Sequence, residues 1–324
     1  MSRLTEALSP DATALAAAFI IDLIVGDPVY RAHPIRLIGR SLRFFEARLR
    51  ASSLDGYAGG IALFLLLGFV WLLVLVGLMA AVVAVSHTVA WLAHVMVLYT
   101  MLALGDLMHH VWRIESAVRS GDLARARTAV SALVGRDTDH MDDGACRRAA
   151  VESLSENLTD GLVSPVFWYV LLGLPGILLF KVVSTMDSMV GYKTPHYLRF
   201  GWCGARLDDA MNYLPARFTW LVIVAIAFVL PGFSGRKAWR VGLEQHSVLL
   251  GPNSGWSEAA TAGAIQRRIV GPIWLGGRLV TNLWVGDADD PPVSTGADIQ
   301  RAIFLVGASG LTSVALATAA LIIT

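Results

Sequence analysis

Charged side chains are scarce in this chain. Of its 324 residues only 16% are Asp, Glu, Lys or Arg and 55% are hydrophobic, whereas soluble domains usually carry about 25% charged residues. The shortage is concentrated, because positions 56–105 contain no charged residue. This composition excludes a disordered chain and indicates an all-α, polytopic integral membrane protein.

Basic excess and cysteine are lacking as well. The 26 Lys and Arg residues nearly balance the 25 Asp and Glu residues, which leaves a formal net charge of +1. Nucleic-acid binding normally requires a strong basic excess, so we expect no nucleic-acid partner. Cys146 and Cys203 are the only cysteines in the sequence, and two are too few for a disulfide scaffold.

Apolar segments long enough for membrane helices, about 20 residues each, are spread along the chain. We predict spans near 12–25, 58–85, 89–105, 162–183, 216–232 and 302–323 of a single integral membrane domain, 1–324. Segments 162–183 and 216–232 are alternatively re-entrant, because Gly and Pro interrupt the first and follow the second. The first segment lacks a small-residue cleavage site, so we expect it to be retained rather than removed as a secretory signal.

Loop charge indicates the orientation. Between residues 27 and 55 there are six arginines and three acids, and the positive-inside rule then places this loop in the cytoplasm. The polar region 106–160 returns to the same side, and its spacing predicts a helical layer on the cytoplasmic face, without strands. We expect a multi-pass protein of the inner (cytoplasmic) membrane. His94, the only histidine in the otherwise apolar segment 89–105, is expected to hydrogen-bond a neighbouring helix.

Polar residues gather in four short clusters at the ends of the apolar segments. The first contains Asp27 and His33, the second runs from Arg136 and Asp137 to Glu152, Glu156, Asn157 and Asp160, the third from Asp187 through Tyr192, Lys193, Arg206, Asp208 and Asp209 to Arg217, and the fourth comprises Asn253, Ser254, Trp256, Ser257 and Glu258.

Each cluster also has a purely structural interpretation. The first reads as a helix-ending turn and the second as a solvated helix face. The third reads as an interfacial loop in which Arg206 pairs with Asp209. The fourth reads as an N-cap, with Ser257 capping a helix from about Glu258 to Ile269.

Taken together, the clusters offer carboxylate and amide oxygens beside lysine and arginine, which is the set of groups that magnesium-nucleotide chemistry uses. His and Cys do not occur at zinc-ligand spacing, and neither a P-loop nor a Gly-x-Gly-x-x-Gly fingerprint is present. We expect the clusters to converge on the cytoplasmic face. These residues alone indicate a membrane enzyme or transporter.

The motifs in these clusters resemble the CobD/CbiB family of cobalamin biosynthesis, adenosylcobinamide-phosphate synthase. The similarity runs nearly end to end and is carried by Gly26-Asp27-Pro28 with His33-Pro34, Gly135-Arg136-Asp137-Thr138, Glu156-Asn157 with Asp160-Gly161, Asp187-Ser188-Met189-Val190-Gly191-Tyr192-Lys193, Arg206-Leu207-Asp208-Asp209, and Asn253-Ser254-Gly255-Trp256. The chain departs from the family pattern at Ser257, where Pro is usual, and at Leu250-Gly251-Pro252, where Ser-Pro is usual.

The resemblance implies an integral membrane amide ligase that joins adenosylcobyric acid to aminopropanol or its phosphate, with ATP as co-substrate and Mg²⁺. It also implies the corrinoid, the aminoalcohol and the lipid bilayer as partners, with other membrane enzymes of late cobalamin assembly as further ones. By chemical analogy, ATP would activate the carboxylate as an acyl phosphate. A non-catalytic sensor or corrinoid transporter on the same fold stays open as the alternative.

Under this hypothesis each candidate residue has a role. The metal ligands are Glu156, Asp160, Asp187, Asp208 and Asp209. The phosphate-binding side chains are Arg136, Arg206, Arg217 and Lys193. Substrate and nucleotide contacts come from Asp27, Asp137, Asn157, Tyr192, Asn253 and Ser254. The catalytic set is His33, Glu156, Asp187, Lys193 and Glu258, in which His33 or Glu258 is the base for the incoming ammonium.

Overall fold

The computed structural model describes residues 3–27, 30–249 and 251–323. Pro28 of the first cluster and Leu250 lie outside these ranges. The regular structure is almost entirely helical. Its elements are α1 (Arg3–Leu8), α2 (Ala12–Val25), α3 (Pro34–Ala51), α4 (Tyr57–Val85), α5 (His87–Tyr99), α6 (Leu104–Arg119), α7 (Leu123–Ser131), α8 (Asp143–Asn157), a π-helix (Leu158–Val163), α9 (Ser164–Val190), α10 (Trp202–Val229), α11 (Gly235–Gln245), α12 (Ser254–Ile265), β1 (Ile269–Leu275), β2 (Arg278–Val285) and α13 (Gly296–Ile323).

Six helical segments of the described chain are long and apolar enough to cross a membrane: Arg3–Val25, Tyr57–Val85, His87–Arg119, Asp143–Val190, Trp202–Val229 and Gly296–Ile323. The expected class, an all-α, multi-pass membrane protein, is therefore confirmed. Two of these segments extend well into the polar region 106–160. This region therefore consists largely of the ends of long helical segments, joined through α7.

Short polar side chains set where several helices begin. Asp11 accepts a hydrogen bond from the Ala14 amide at 2.6 Å, and Asp142 does the same for the Ala145 amide at 2.6 Å. Ser86 caps α5 through the Val89 amide at 3.1 Å. Such caps satisfy amide groups that have no partner within the helix. Ser86 therefore separates α4 from α5, two helices that would otherwise read as one apolar run.

The chain divides into two compact units. The first comprises Met1–Ala103, Ser164–Asn212 and Val314–Thr324. Within it, α4 packs against α3, α5 and α9, and α2 packs against α5. His94 on α5 lies 2.9 Å from the Ala7 carbonyl oxygen and 2.7 Å from the Tyr169 hydroxyl. The expectation that His94 bonds to neighbouring helices is confirmed.

The second unit comprises Leu104–Val163 and Tyr213–Ser313. In it α6 packs against α7 and α8, and α12 packs against α11 and α8. The two strands form an antiparallel hairpin in which Ile269 is opposite Val285. Gly276 and Gly277 make its turn with φ angles of 60° and 71°, a geometry that glycine adopts without strain.

Two expectations about this part of the chain were wrong. The helix predicted from about Glu258 to Ile269 instead runs over Ser254–Ile265, and Ile269 begins β1. Asn253, not Ser257, stands at the N-cap position. The Ser257 hydroxyl lies within the helix and donates to the Ser254 carbonyl oxygen at 3.2 Å.

A close backbone approach in the first unit allows a test of its packing. A Cβ atom on Gly60 would lie 2.1 Å from the Phe200 carbonyl oxygen, whereas nothing lies within 4 Å of a Cβ atom on Gly77 of the same helix. A backbone carbonyl cannot swing aside as a flexible side chain can. We therefore expect Gly60→Ala to destabilise the protein by about 1–3 kcal/mol, the usual range for overpacking.

The measurement is the thermal midpoint of the detergent-purified protein. Gly77→Ala is the matched control and should leave the midpoint unchanged or slightly raised, because alanine favours helix more than glycine does. Equal midpoints for the two variants would contradict the close approach between α4 and Phe200.

Candidate functional site

A group of carboxylates lies in the second unit where α12 packs against α8. Glu152 and Glu156 lie one turn apart on α8, and Asp160 follows in the π-helix. The α-helix ends at Asn157, and the next turn is a π turn, a feature frequent at functional sites. All three carboxylates nevertheless act electrostatically on Glu258 of α12. The structure thus brings Glu156, Asp160 and Glu258 together as one group.

Glu258 is the most buried of these acids. Its side chain is only 3% exposed, and its Oε2 atom has no hydrogen-bond partner among the described residues. Burial raises the pKa of the Glu258 carboxyl well above its ordinary value, and the charges of Glu156 and Glu152 raise that pKa further. The neutral acid is favoured because a low-dielectric surrounding penalises the ionised form. Glu258 can consequently exchange a proton at a higher pH than a glutamate in water.

Arg136 supplies the positive charge of this group. Its Nη2 atom lies 2.6 Å from Glu152 Oε2, and both side chains are largely buried. The same guanidinium opposes the rise in the Glu258 pKa. Arg136, predicted as a phosphate ligand, is thus already engaged by a carboxylate.

Two other predicted residues of the second cluster have local partners. The Asn157 amide donates to the Ser153 carbonyl oxygen at 2.9 Å. The Asp137 carboxylate accepts from the Gly277 amide at 2.7 Å, and the Asp137 amide donates to the Trp274 carbonyl oxygen at 2.9 Å. Asp137 therefore holds the tip of the hairpin in place, a structural contact that the sequence did not reveal.

Aromatic rings hold Arg217 in the same unit. Its guanidinium lies 3.5 Å from the Tyr213 ring centroid and 5.0 Å from that of Trp256, which in turn stacks on His246 at 3.9 Å. Arg217 also donates to the Asn253 side-chain oxygen at 3.3 Å. Stacking of this kind orients a guanidinium while its edge stays available to an anion. Ser254 is the first residue of α12.

The first unit contains a second group of acids, Asp187, Asp208 and Asp209, at the facing ends of α9 and α10. The charges of Asp187 and Asp209 both act on Asp208. Arg206 lies 3.4 Å from Asp209, and Lys193 also acts on that carboxylate. The pairing of Arg206 with Asp209, which the interpretation of the third cluster as an interfacial loop predicted, is thus present. It is only one part of a larger group of opposite charges.

Three residues beside these acids received no role from the sequence. Ser164 donates to the Asn212 side-chain oxygen at 2.5 Å, and the Asn212 amide donates to Asp208 at 3.0 Å. Lys181 on α9 also acts on Asp208. A lysine inside an apolar segment is a usual sign of a functional group, so Lys181 could have been found. The Ser164–Asn212 contact, which joins residues 48 positions apart, could not.

The first cluster also lies in the first unit. His33 Nε2 is 2.9 Å from Asp27 Oδ1, and the His33 side chain is only 4% exposed. The Tyr30 ring packs edge-on against the imidazole. A carboxylate this close to an imidazole limits the orientations that the ring can take. In contrast, Tyr192 and Lys193 are exposed at the end of α9.

The predicted magnesium ligands fall into both units: Glu156 and Asp160 into the second, and Asp187, Asp208 and Asp209 into the first. Among the described residues no three His, Cys, Asp or Glu side chains are arranged to hold a metal ion. An all-protein metal cage does not fit. A nucleotide-bound Mg²⁺ usually takes only one or two carboxylates, together with water and phosphate oxygens, and the pair Asp187 and Asp208 fits that requirement.

Comparison with known proteins identifies the family. The profile described as CobD/Cbib protein matches residues 15–306 of the chain. The chain belongs to the CobD/CbiB family. It is 41% identical over 299 residues to the cobalamin biosynthesis protein CobD of a Sinorhizobium species, which covers 89% of this chain and 91% of the relative.

Other CobD/CbiB proteins are similarly close. The cobalamin biosynthesis protein CbiB of Salmonella typhimurium is 37% identical over 94% of this chain and 95% of its own. CobD of Pelobacter propionicus is 38% identical over 86% of each chain. No solved structure matches the chain. The resemblance carried by the motifs is therefore confirmed, and this is a multi-pass membrane protein of a cobalamin biosynthesis family.

The Glu258 carboxyl should make stability depend on pH. Because its pKa is raised in the folded protein, the folded state keeps a proton that the unfolded chain releases above about pH 4.3. The resulting stabilisation is present at low pH and is lost as pH rises through the folded-state pKa, at up to about 1.4 kcal/mol per pH unit. We therefore expect the thermal midpoint of Glu258→Gln to fall less between pH 5 and pH 8 than that of the wild type.

The exposed Glu244 provides the control. Glu244→Gln removes one carboxylate from the same unit and should follow the wild-type curve. If the thermal midpoints of Glu258→Gln and the wild type change equally between pH 5 and pH 8, the pKa of Glu258 is not the cause of the pH dependence.

Proposed function

We propose that this protein is a membrane amide ligase of cobalamin biosynthesis, which joins the carboxylate of adenosylcobyric acid to the amino group of aminopropanol or its phosphate with ATP. Membership of the CobD/CbiB family supports the pathway. The observation that carries the reaction type is the group of three carboxylates, Asp187, Asp208 and Asp209, set among Lys181, Lys193 and Arg206.

Amide formation from a carboxylate requires that one carboxylate oxygen first become a leaving group. In the proposed route this oxygen attacks the γ-phosphorus of ATP, the bond to ADP breaks, and an acyl phosphate forms. The amine nitrogen then attacks the acyl carbon, and inorganic phosphate leaves. The incoming ammonium must first lose one proton, and the amine loses a second as the amide forms.

Acids and bases of this chain match the charges of that route. Asp187 and Asp208 would hold Mg²⁺ with the nucleotide phosphates, and the ion when bound neutralises phosphate charge. Lys193 and Arg206 act on the neighbouring Asp209 and would stabilise the transferring phosphoryl group. The Asn212 amide fixes the Asp208 carboxylate, and Ser164 in turn fixes Asn212.

His33 is the better of the two proposed bases. Its Nε2 atom lies 2.9 Å from Asp27 Oδ1, and, unlike Glu258, it belongs to the same unit as Asp187 and Asp208. Glu258 lies in the second unit as a proton-exchanging acid beside Glu156 and Asp160, and the proposed route assigns it no step. We further propose that the site faces the cytoplasm of the inner membrane, since ATP is supplied there.

The test is product formation by purified protein in detergent or nanodiscs. Wild type should convert adenosylcobyric acid, aminopropanol phosphate and ATP to the amide. We expect Asp187→Asn and Asp208→Asn to lower turnover by about 100-fold or more, as removal of one preorganised electrostatic group commonly does.

Asp55→Asn is the matched control, because Asp55 is exposed and outside both acid groups; it should retain full turnover. Undiminished turnover in Asp187→Asn and Asp208→Asn would contradict the proposal that these two acids hold Mg²⁺ with the nucleotide. A wild-type protein that forms no amide but carries corrinoid into vesicles would support the transporter alternative instead.

A further inference from the structure

A cavity of about 610 Å³ lies in the first unit, beside the acid group but distinct from it. Its walls come from the first half of α3, the segment after α5 and the second half of α9. Of its basic residues only Lys181 has been discussed above, for its electrostatic effect on Asp208. The charge on its walls is strongly positive.

Three arginines on one face of α3 supply most of that charge. Arg36, Arg40 and Arg43 all line the cavity, and their spacing of four and then three residues places them on the same side of the helix. All three are exposed, and none has an ion pair or a side-chain hydrogen bond to any described residue. An arginine whose donors are unused in a concave site is suited to a multiply charged oxyanion.

The opposite wall on α9 adds a fourth cation and several hydroxyl groups. Lys181 lines the cavity together with Ser184, Thr185 and Ser188, which are three, four and seven residues further along the helix and hence on the same face. The hydroxyls of Thr185 and Ser188 donate to carbonyl oxygens one turn back. Lysine is a common phosphate ligand, and hydroxyl groups on the same wall can add hydrogen bonds to it.

One acid lies among these bases. Asp27 lines the cavity, its side chain is 36% exposed, and it contacts the nearly buried His33. A carboxylate in the wall of the cavity would repel a simple polyanion. A carboxylate beside four cations instead complements a ligand that carries an ammonium group as well as a phosphate.

We propose that this cavity binds a small phosphate ester that carries an ammonium group, with the phosphate on Arg40, Arg43 and Lys181 and the ammonium beside Asp27. The inference rests on the proposed function, in which such a molecule is the amine substrate. It locates the amine next to His33, the proposed proton acceptor. The headgroup of an ethanolamine phospholipid has the same chemistry, and the experiment separates the two sources.

The first measurement is direct binding. Isothermal titration of the full-length protein in detergent with aminopropanol phosphate, without ATP or corrinoid, should give a dissociation constant that rises about 10-fold or more in Arg40→Gln and in Arg43→Gln, since each change removes a charge-assisted contact. Aminopropanol without the phosphate should bind wild type at least about 10-fold more weakly. Arg48→Gln is the control, because Arg48 is an exposed arginine of α3 that does not line the cavity.

The second measurement separates binding from fold and from catalysis. We expect both variants to keep the wild-type thermal midpoint and to raise KM for the amine while KM for ATP stays unchanged. Wild-type affinity for aminopropanol phosphate in both Arg40→Gln and Arg43→Gln would overturn the proposal. A rise confined to KM for ATP would also overturn it. So would a difference between variant and wild type that appears only in nanodiscs of phosphatidylethanolamine and not in nanodiscs of phosphatidylcholine, because the ligand would then be the lipid headgroup.

These outcomes are distinguishable from a failure of the proposed reaction. If wild type binds the phosphate ester in an arginine-dependent manner but never forms an amide, the cavity assignment stands and the reaction is wrong. If the amide forms at unchanged KM in the arginine variants, the reaction stands and the cavity assignment is wrong.

Discussion

Hydrocarbon cannot solvate an ionised side chain, and this constraint accounts for the partners of several charges in the protein. Buried and half-buried charges of this kind are met by an opposite charge or an aromatic ring. Arg147 holds Glu115 at 2.7 Å in the second unit, and Arg217 lies over the Tyr213 ring. The acid groups likewise occur with basic neighbours. A sequence with so few charges can therefore still assemble concentrated polar sites.

The sequence predicted the helical membrane class because the signal is local. An uncharged run such as 58–85 is recognisable from its own residues, and the helix found is Tyr57–Val85. The hairpin was missed although its Gly-Gly turn is a known hairpin signal. Gly271 and Pro272 within β1 weakened the strand pattern, and the pairing that stabilises the hairpin is made only with β2. The start of α12 was misplaced because Ser257 looked like a cap, whereas Ser254 already begins the helix.

The candidate sites were likewise predictable only where the residues that form them are close in sequence. Neighbours one helical turn apart, such as Glu152 and Glu156, follow from spacing alone. Glu258 joins them only because α12 packs against α8, a contact between residues about 100 positions apart that no local pattern encodes. The arginines of α3 were predicted to lie in a basic loop and served only as an orientation signal, whereas the structure places them on a helix, Pro34–Ala51. Their side-by-side placement opposite Lys181 required the packing of α3 on α9. The expectation that all four clusters share one face concerns both units together and stays a prediction.

The buried Glu258 has a consequence for the polarity of the groups that can lie against it. An ionised carboxylate only accepts hydrogen bonds, whereas a neutral carboxylic acid also donates one. With its pKa raised, Glu258 remains a donor over a wider pH range than an ordinary glutamate. A carbonyl or carboxylate oxygen that approaches the neutral acid in that range can accept this hydrogen bond, which an ionised glutamate could not offer. Burial thus gives this one side chain both hydrogen-bonding directions, whereas an ordinary glutamate at the same pH has one.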